Sequence, residues 1–487
     1  MRDMVVLIDL DGTACRSMAR KLRAEHMYCK ILPADSSAAD VAAQETLGLL
    51  LAGGDSGEAA FIPHLEELMA CGLPLMAMGD AALTVVTALG GTLGAKAAEP
   101  GVCQVHYEGD EQLFSQVEDG ERFLRARRVM NLPEGATAIA RTDEGVLGFR
   151  AADRPVYGLA FLPEQNDPDG VQLLINFCKT ICGCTLWWSN QAFVERAREE
   201  IERVTDGGEA ICALSGGVDS GVCALLGNMA LGHRLHCVFV DTGLLRKDEG
   251  DKVMAFYRDQ IGLNLTRVNA QEEILSALRG VTKPAEKEKI IFDRLKAVLQ
   301  AEMARMPGVR VILQGTNYSD SLQTGTLFPL EKPDDQVRLV EPVRELFKDE
   351  IRLVGEELGL PSAVVQRQPF PGSGLALRIL ADVTQERLAV LREADAIFRA
   401  EIEESGQNKR LWQYFATLAD NPADPGSSYV VALRAVQVAD GAAAVASRLP
   451  YDLLEHVTKL IRERTPQVQR VLYDLTPSSN YSHVEWR

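Results

Sequence analysis

The string Leu214-Ser215-Gly216-Gly217-Val218-Asp219-Ser220 constrains the fold of this chain more than any other. Before it, Cys212–Leu214 reads as a strand; after it, Val222–Met229 reads as a helix. A strand that turns through glycines into a helix is the start of a βα unit, and such units build parallel sheets. Gly216 and Gly217 let the backbone turn with its N–H groups facing inward, and Ser215 and Ser220 add hydroxyls. The helix start adds partial positive charge, so the turn is a nest for phosphate. The spacing is not that of a Walker loop, because the Gly-x-x-x-x-Gly-Lys pattern is absent. Asp219 is out of place beside phosphate unless it helps to hold a divalent cation.

Around this loop the pattern continues. Leu235–Val240, Leu265–Asn269 and Val311–Gln314 read as further strands with helices between them. The front block has strands at Met4–Leu10, Tyr28–Leu32, Leu49–Ala52 and Pro74–Met78, and helices at residues 14–25 and Ala59–Cys71. Shorter runs follow at Thr137–Ala140, Val146–Phe149 and Val156–Phe161. This predicts an α/β domain with a mainly parallel sheet. A polar break at residues 165–172 precedes helical stretches at Leu173–Trp188 and Phe193–Val204. A last block begins at the Pro369–Gly374 loop, with a helix at Leu388–Glu403, a strand at Val430–Val438, a helix at Tyr451–Arg464 and a strand at Val468–Asp474. That is a small α+β domain. At about 150 residues per domain, 487 residues accommodate three, expected at 1–170, 171–368 and 369–487.

The 51 Lys+Arg against 69 Asp+Glu leave a net charge of −18, which repels nucleic acid overall but leaves room for a small anion held locally. No apolar run approaches 18 residues, so no membrane span is expected. The ten scattered cysteines fit reduced thiols, and a cytoplasmic enzyme is expected. Cys178, Cys182 and Cys184 lack zinc-pair spacing and a nearby His, so they read as core.

The loop Ser215–Ser220 resembles the pyrophosphate loop of the N-type ATP pyrophosphatases. Val238–Lys247 (VFVDTGLLRK), Gln314-Gly315-Thr316, Leu339–Asp349, Pro369–Ile379 and the closing Arg470–Trp486 stretch resemble the glutamine-dependent GMP synthase family in particular. The resemblance covers nearly the whole chain. It implies a class I amidotransferase-like domain, an ATP pyrophosphatase domain and a C-terminal dimerisation domain, hence a homodimer. It implies ATP and Mg²⁺ as cofactors and O-adenylation of XMP, after which ammonia displaces AMP. In that reading Ser215, Gly216, Gly217, Val218, Asp219, Ser220, Val240, Asp241 and Gly315 bind the nucleotide. Asp219 and Asp320 hold the metal, and Asp219, Lys289 and Asp320 take catalytic parts. Arg246, Arg378, Arg434 and Arg470 face the substrate.

Two regions depart from the family pattern. The nucleophile elbow, usually Gly-Ile-Cys-Tyr-Gly, matches Ala77-Met78-Gly79-Asp80-Ala81, so Gly79 stands at the cysteine position. The histidine motif matches Gly158–Glu164, with Leu162 at the His position, and only Glu164 of the triad is kept. Neither Gly nor Leu can act as nucleophile or base, so no glutaminase chemistry is expected there. Cys71 and Cys103 are badly placed to substitute, and Glu164 is expected to be a structural relic or a surface acid. The loop Leu51–Ser56 resembles the family's oxyanion loop. Asp9-Leu10-Asp11-Gly12-Thr13 also matches the opening of a haloacid dehalogenase-type phosphotransferase. The further Lys and acidic pair of that class are not evident, and the rest of the domain follows the amidotransferase order.

On the substrate side, Tyr318-Ser319-Asp320 replaces Tyr-Pro-Asp, and Lys287–Phe292 stands for Lys-Arg-Lys-Ile-Ile-Gly. Ser321–Val337 lacks the expected His pair, Pro425–Tyr429 lacks an Arg, and Thr476–Asn480 replaces Ser-Lys-Pro-Pro. The expectation is an ATP-using, AMP-forming amidoligase acting on XMP or a related nucleotide, fed by free or partner-supplied ammonia. The other class is a catalytically silent ATP-binding or partner-binding paralogue.

Overall fold

The computed structural model describes residues 3–96, 100–110, 112–125, 128–166, 168–324, 337–439 and 443–478. Most of Ser321–Val337 and the end of Thr476–Asn480 therefore lie outside the described residues, as do residues 479–486 of the closing stretch that carries the resemblance. The chain forms two compact units, Met1–Phe193 and Val194–Arg487. No helix among the described residues is long and apolar enough to cross a membrane, and all ten cysteines are free thiols.

In the first unit the strands are β1 (Val5–Asp9), β2 (Cys29–Pro33), β3 (Gly48–Ala52), β4 (Leu75–Met78), β5 (Thr92–Lys96), β6 (Gly101–Tyr107), β7 (Gly120–Leu124), β8 (Arg128–Asn131), β9 (Thr137–Thr142), β10 (Gly145–Arg150) and β11 (Val156–Leu159). Order β2-β1-β3-β4-β11 is parallel. The remainder, β10-β9-β6-β7 with β8 and β5, is antiparallel. The mainly parallel sheet expected from the sequence is thus only half the sheet. Wholly apolar runs such as Gly-Leu-Leu-Leu-Ala in β3 are buried along their length and suit a sheet covered on both faces. The later strands mix buried and exposed positions, as antiparallel ribbons do.

Other expectations change in detail. The helix expected at Ala59–Cys71 is confined to Leu65–Ala70, because Pro63 disfavours helical backbone in the residue before it. Cys103 lies inside β6. The stretch after Asn176 becomes a single wide turn, Phe177–Ile181, and then loses helical form at Gly183, whose φ is +77°. It stays in the first unit: Trp188 stacks on Tyr28 at 4.8 Å, and the Trp187 indole donates to the Asp3 carbonyl.

The second unit holds β12 (Glu209–Ala213), β13 (Leu235–Asp241), β14 (Leu265–Asn269), β15 (Val309–Leu313) and β16 (Arg338–Val340) in one parallel sheet, ordered β14-β13-β12-β15-β16. It also holds β17 (Gln413–Asp420), β18 (Tyr429–Ala439), β19 (Ala443–Ala446) and β20 (Val468–Tyr473) in a second, mixed sheet. The helix Val218–Leu231 packs closely on the first of these sheets: a Cβ on Gly227 would come 2.6 Å from Leu313 Cδ1. The helix Gln385–Glu404 shares a core with β17 and β18 through Leu388, Leu391, Phe398, Ala416 and Leu433. Each such buried Leu or Phe contributes about 1.5–3 kcal/mol.

Candidate active site

The parallel sheet of the second unit changes direction between β12 and β15, and ligands of open α/β sheets bind outside the strand ends at such a point. Both loops leaving these strands carry the expected residues. Gly216 has φ +79°, a left-handed conformation that glycine adopts without strain. Gly217 caps the helix, so Val218, Asp219 and Ser220 form its first turn. Within the loop the Ser215 and Ser220 hydroxyls lie 2.9 Å apart, and Ser220 Oγ accepts from Ser215 N at 3.2 Å. Gly315 presses against this turn: a Cβ there would lie 2.9 Å from the Asp219 carbonyl and Ser220 N. A side chain at residue 315 would push the two loops apart.

Asp219 meets two further charged groups. Lys348 Nζ, on the helix Lys348–Glu357, donates to Asp219 Oδ2 at 2.6 Å, while Asp219 Oδ1 is buried without a hydrogen-bond partner. Asp320, at the start of the helix Tyr318–Thr324, lies within the field of both. Burial pushes its carboxyl above the usual range, the Asp219 charge adds to this, and Asn317 N–H and Lys348 oppose it. Two carboxylates, one of them with an unpartnered oxygen, are hard donors that fit Mg²⁺, which characteristically takes one or two carboxylates and completes its shell with phosphate and water. Among the described residues no group of three or more ligating side chains forms a metal cage by itself.

Asp241 ends β13, as expected, but is fully engaged: Oδ2 accepts from Arg267 and Gln271, and Oδ1 from Gly243 N. Val240 precedes it, half-buried at the same strand end. Lys289 is exposed on the helix Pro284–Ala304. The inward lysine of that helix is Lys287, which donates to the Ala376, Ile379 and Ala381 carbonyls at 3.2, 2.6 and 2.6 Å.

Of the four expected substrate arginines, the structure gathers two. Arg246 and Arg378 lie over the Phe370 ring at 4.1 and 5.2 Å, and both face Asp395. All three Arg246 guanidinium nitrogens are buried without a hydrogen-bond partner, as is Ser373 Oγ. Burial pulls the Arg246 pKa well down, and Asp395 offsets part of this. Arg434 is instead committed to Asp474 and the Thr476 carbonyl. Arg470 is exposed on β20, beside Thr417 and Asp420 in an open groove.

In the first unit, Gly79 sits between β4 and the helix Asp80–Ala88 at φ +61° and ψ −133°. A Cβ on it would fall 2.2 Å from the Gly54 carbonyl, 2.7 Å from the Gly53 carbonyl and 3.1 Å from Leu162 Cδ2. The loop amides beyond are taken by Asp80, whose carboxylate accepts from Ser56 N, Ser56 Oγ and Gly57 N at 2.6–3.0 Å. Glu164 is only 2% exposed, not a surface acid. Its Oε2 is unpartnered, and burial pushes its pKa up to about 7.

Sequence reasoning missed Lys348 and Arg367. A lysine at the first position of a helix opposes the helix dipole unless an anion faces it, and that was the available signal for Lys348. Arg367, just before the Pro/Gly loop, donates to the Gly216 carbonyl at 2.8 Å. Nothing local in the sequence marked it.

Residues 191–390 match the NAD synthase family and residues 400–486 the GMP synthase C terminal domain. "GMP synthase [glutamine-hydrolyzing]" of Clostridium botulinum strain Hall is 36% identical over 511 residues, spanning 100% of this chain and 99% of the relative. Those of Clostridium acetobutylicum and Clostridium tetani are 36% identical over 510 residues with the same coverage. The chain belongs to the GMP synthase family. It is accordingly a GMP synthase-like ATP-dependent ligase with an ATP pyrophosphatase domain.

Proposed function

We propose that this chain adenylates a carbonyl oxygen of XMP or a related nucleotide and aminates it with free or partner-supplied ammonia, without hydrolysing glutamine. The observation that carries the reading is the Lys348–Asp219 pair at the Ser215–Ser220 loop, with Asp320 in the field of both.

The loop amides and the Ser215 and Ser220 hydroxyls hold the β- and γ-phosphates of ATP, and Lys348 stands by the same oxygens. Asp219 and Asp320 would hold Mg²⁺, which neutralises charge developing on pyrophosphate. The substrate carbonyl oxygen attacks the α-phosphorus. The new O–P bond forms as the bond to the β-phosphate oxygen breaks, and pyrophosphate leaves with the electron pair. Ammonia then adds to the activated carbon, loses a proton, and AMP departs with the carbonyl oxygen. Arg246 and Arg378 supply charge for an anionic group of the substrate, each such bond contributing about 1.5–3 kcal/mol. Without a nucleophile at Gly79 or a base at Leu162, the first unit supplies no ammonia. Pairing through residues after about 370 is the expected assembly; Leu472 and Leu380 stay 51% and 41% exposed in the lone chain.

Purified protein with ATP, Mg²⁺, high ammonium and XMP, or a panel of related purine nucleotides, tests the reading by AMP and pyrophosphate release. Release dependent on one acceptor supports it and names the substrate. No release with any acceptor, despite ATP binding, reduces the chain to a nucleotide-binding protein.

A further inference from the structure

Gly216 and Gly217 are joined by a peptide that two glycines leave unusually free to rotate. Its orientation matters, because a trans peptide points its C=O and its N–H in opposite directions. With the Gly216 carbonyl outside, the Gly217 N–H faces the loop hollow. With the plane reversed, a carbonyl oxygen would face the phosphates and repel them.

The structure has the first arrangement. The Gly217 N–H is directed at Ser215 Oγ at 3.3 Å, and that hydroxyl lies 2.9 Å from Ser220 Oγ inside the loop. On the other side the Gly216 carbonyl accepts a 2.8 Å hydrogen bond from Arg367 Nη1. Arg367 itself is anchored. Its Nη2 is ion-paired with Glu249, which is 8% exposed, and its guanidinium lies 5.8 Å from the Phe370 ring centroid. Glu249 is fixed in turn by accepting from Arg246 N at 2.9 Å. Val253 closes the remaining side, with its Cγ2 2.6 Å from where a Gly216 Cβ would lie. Nothing else in this set donates to the Gly216 carbonyl; Glu249 is an anion and Val253 is apolar.

We propose that Arg367 is a positioning residue for phosphate binding: by clamping the Gly216 carbonyl it keeps the Gly217 N–H turned toward the phosphates. The proposal rests on the reading that this loop takes ATP. Arg367 does not touch the nucleotide in this account. It acts through the peptide plane, so its loss weakens phosphate-bearing ligands selectively and spares adenosine. The same anchor, through Glu249 and Phe370, joins the loop to the Arg246 and Arg378 cluster, so the two sites share one rigid support.

The test is calorimetric titration of the full chain with ATP, inorganic pyrophosphate and adenosine, with Mg²⁺ present. The variants are Arg367→Lys, Arg367→Met and the double variant Arg367→Met/Glu249→Gln, which removes the donor and leaves no unpaired buried charge. In the double variant, pyrophosphate and ATP affinity is expected to fall at least tenfold while adenosine affinity stays within twofold. Arg367→Lys, which keeps a donor, should recover part of the loss. With glycine labelled by ¹⁵N, pyrophosphate should shift the Gly217 amide downfield in the wild type and not in the double variant. A folded double variant with pyrophosphate affinity within twofold of wild type overturns the proposal. Parallel loss of adenosine binding also overturns it, because the effect would then be general. Wild-type protein that binds neither ATP nor pyrophosphate instead overturns the loop reading itself, whatever the variants do.

Discussion

Lys348 Nζ sits 2.6 Å from Asp219 Oδ2, across 129 residues of sequence, at the mouth of the phosphate loop. In the proposed reading the pair sets one cation and one anion beside the ATP phosphates and Mg²⁺. Lys348→Met should lower adenylation about 10²–10³-fold, the usual loss for one aimed charge in an active site. Lys348 is partly exposed, so the fold should survive. Pyrophosphate release at saturating ATP checks this, with thermal unfolding as the control.

Gly79→Cys should not restore glutaminase activity. The Cβ would meet the Gly54 carbonyl at 2.2 Å in a backbone conformation suited to glycine. Stability should fall by roughly 2–4 kcal/mol from strain and overpacking. Differential scanning calorimetry and a glutamate-release assay read the two effects separately.

Glu164 should make the first unit weaken as pH rises. Its pKa is pushed from 4.5 to about 7 by burial, so the native state holds its proton longer than the unfolded chain. By linkage, its stabilising share is complete below about pH 4.5 and is lost as pH rises through about 7. The full span is about 3 kcal/mol. Glu164→Gln should therefore be more stable than wild type at pH 8 and nearly equal at pH 4.5; a denaturant midpoint series across that range would show it.

Arg246→Met should raise KM for the nucleotide acceptor at least tenfold and leave KM for ATP nearly unchanged. The three unpartnered guanidinium nitrogens identify it as the residue with unused hydrogen-bonding capacity. Arg378 still faces the buried Asp395 carboxylate, which limits but does not abolish the stability cost of removing one partner of this ion pair. Steady-state kinetics with each substrate varied in turn separates the two constants.

Much of this was legible in the sequence because local and global signals agreed. The helix Tyr451–Arg464 was read residue for residue, and β14 and the β12 loop fell where the apolar runs and glycines put them. In the antiparallel half of the first sheet β9 and β10 fell on runs read as strands, but β5 to β8 did not, since strands such as Arg128–Asn131 are short and mix buried with exposed positions. β17 was missed although it is almost wholly buried and the turn residues Asn421-Pro422 and Pro425-Gly426 follow it directly. At the site, the loop was visible as a contiguous string. Lys348, Arg367 and the Asp80 plug were not, because each acts on a partner brought near only by the fold. Lys289 and Lys287 show the converse error: two lysines on one helix, two residues apart, face opposite ways, and the motif alone did not say which is buried.

The most direct test is a single reaction containing the full chain, ATP, Mg²⁺ and XMP, with nitrogen supplied either as ammonium or as glutamine. AMP, pyrophosphate and aminated nucleotide should form in equal amounts with ammonium, and no glutamate should form with glutamine. Stoichiometric glutamate formation coupled to amination would contradict this.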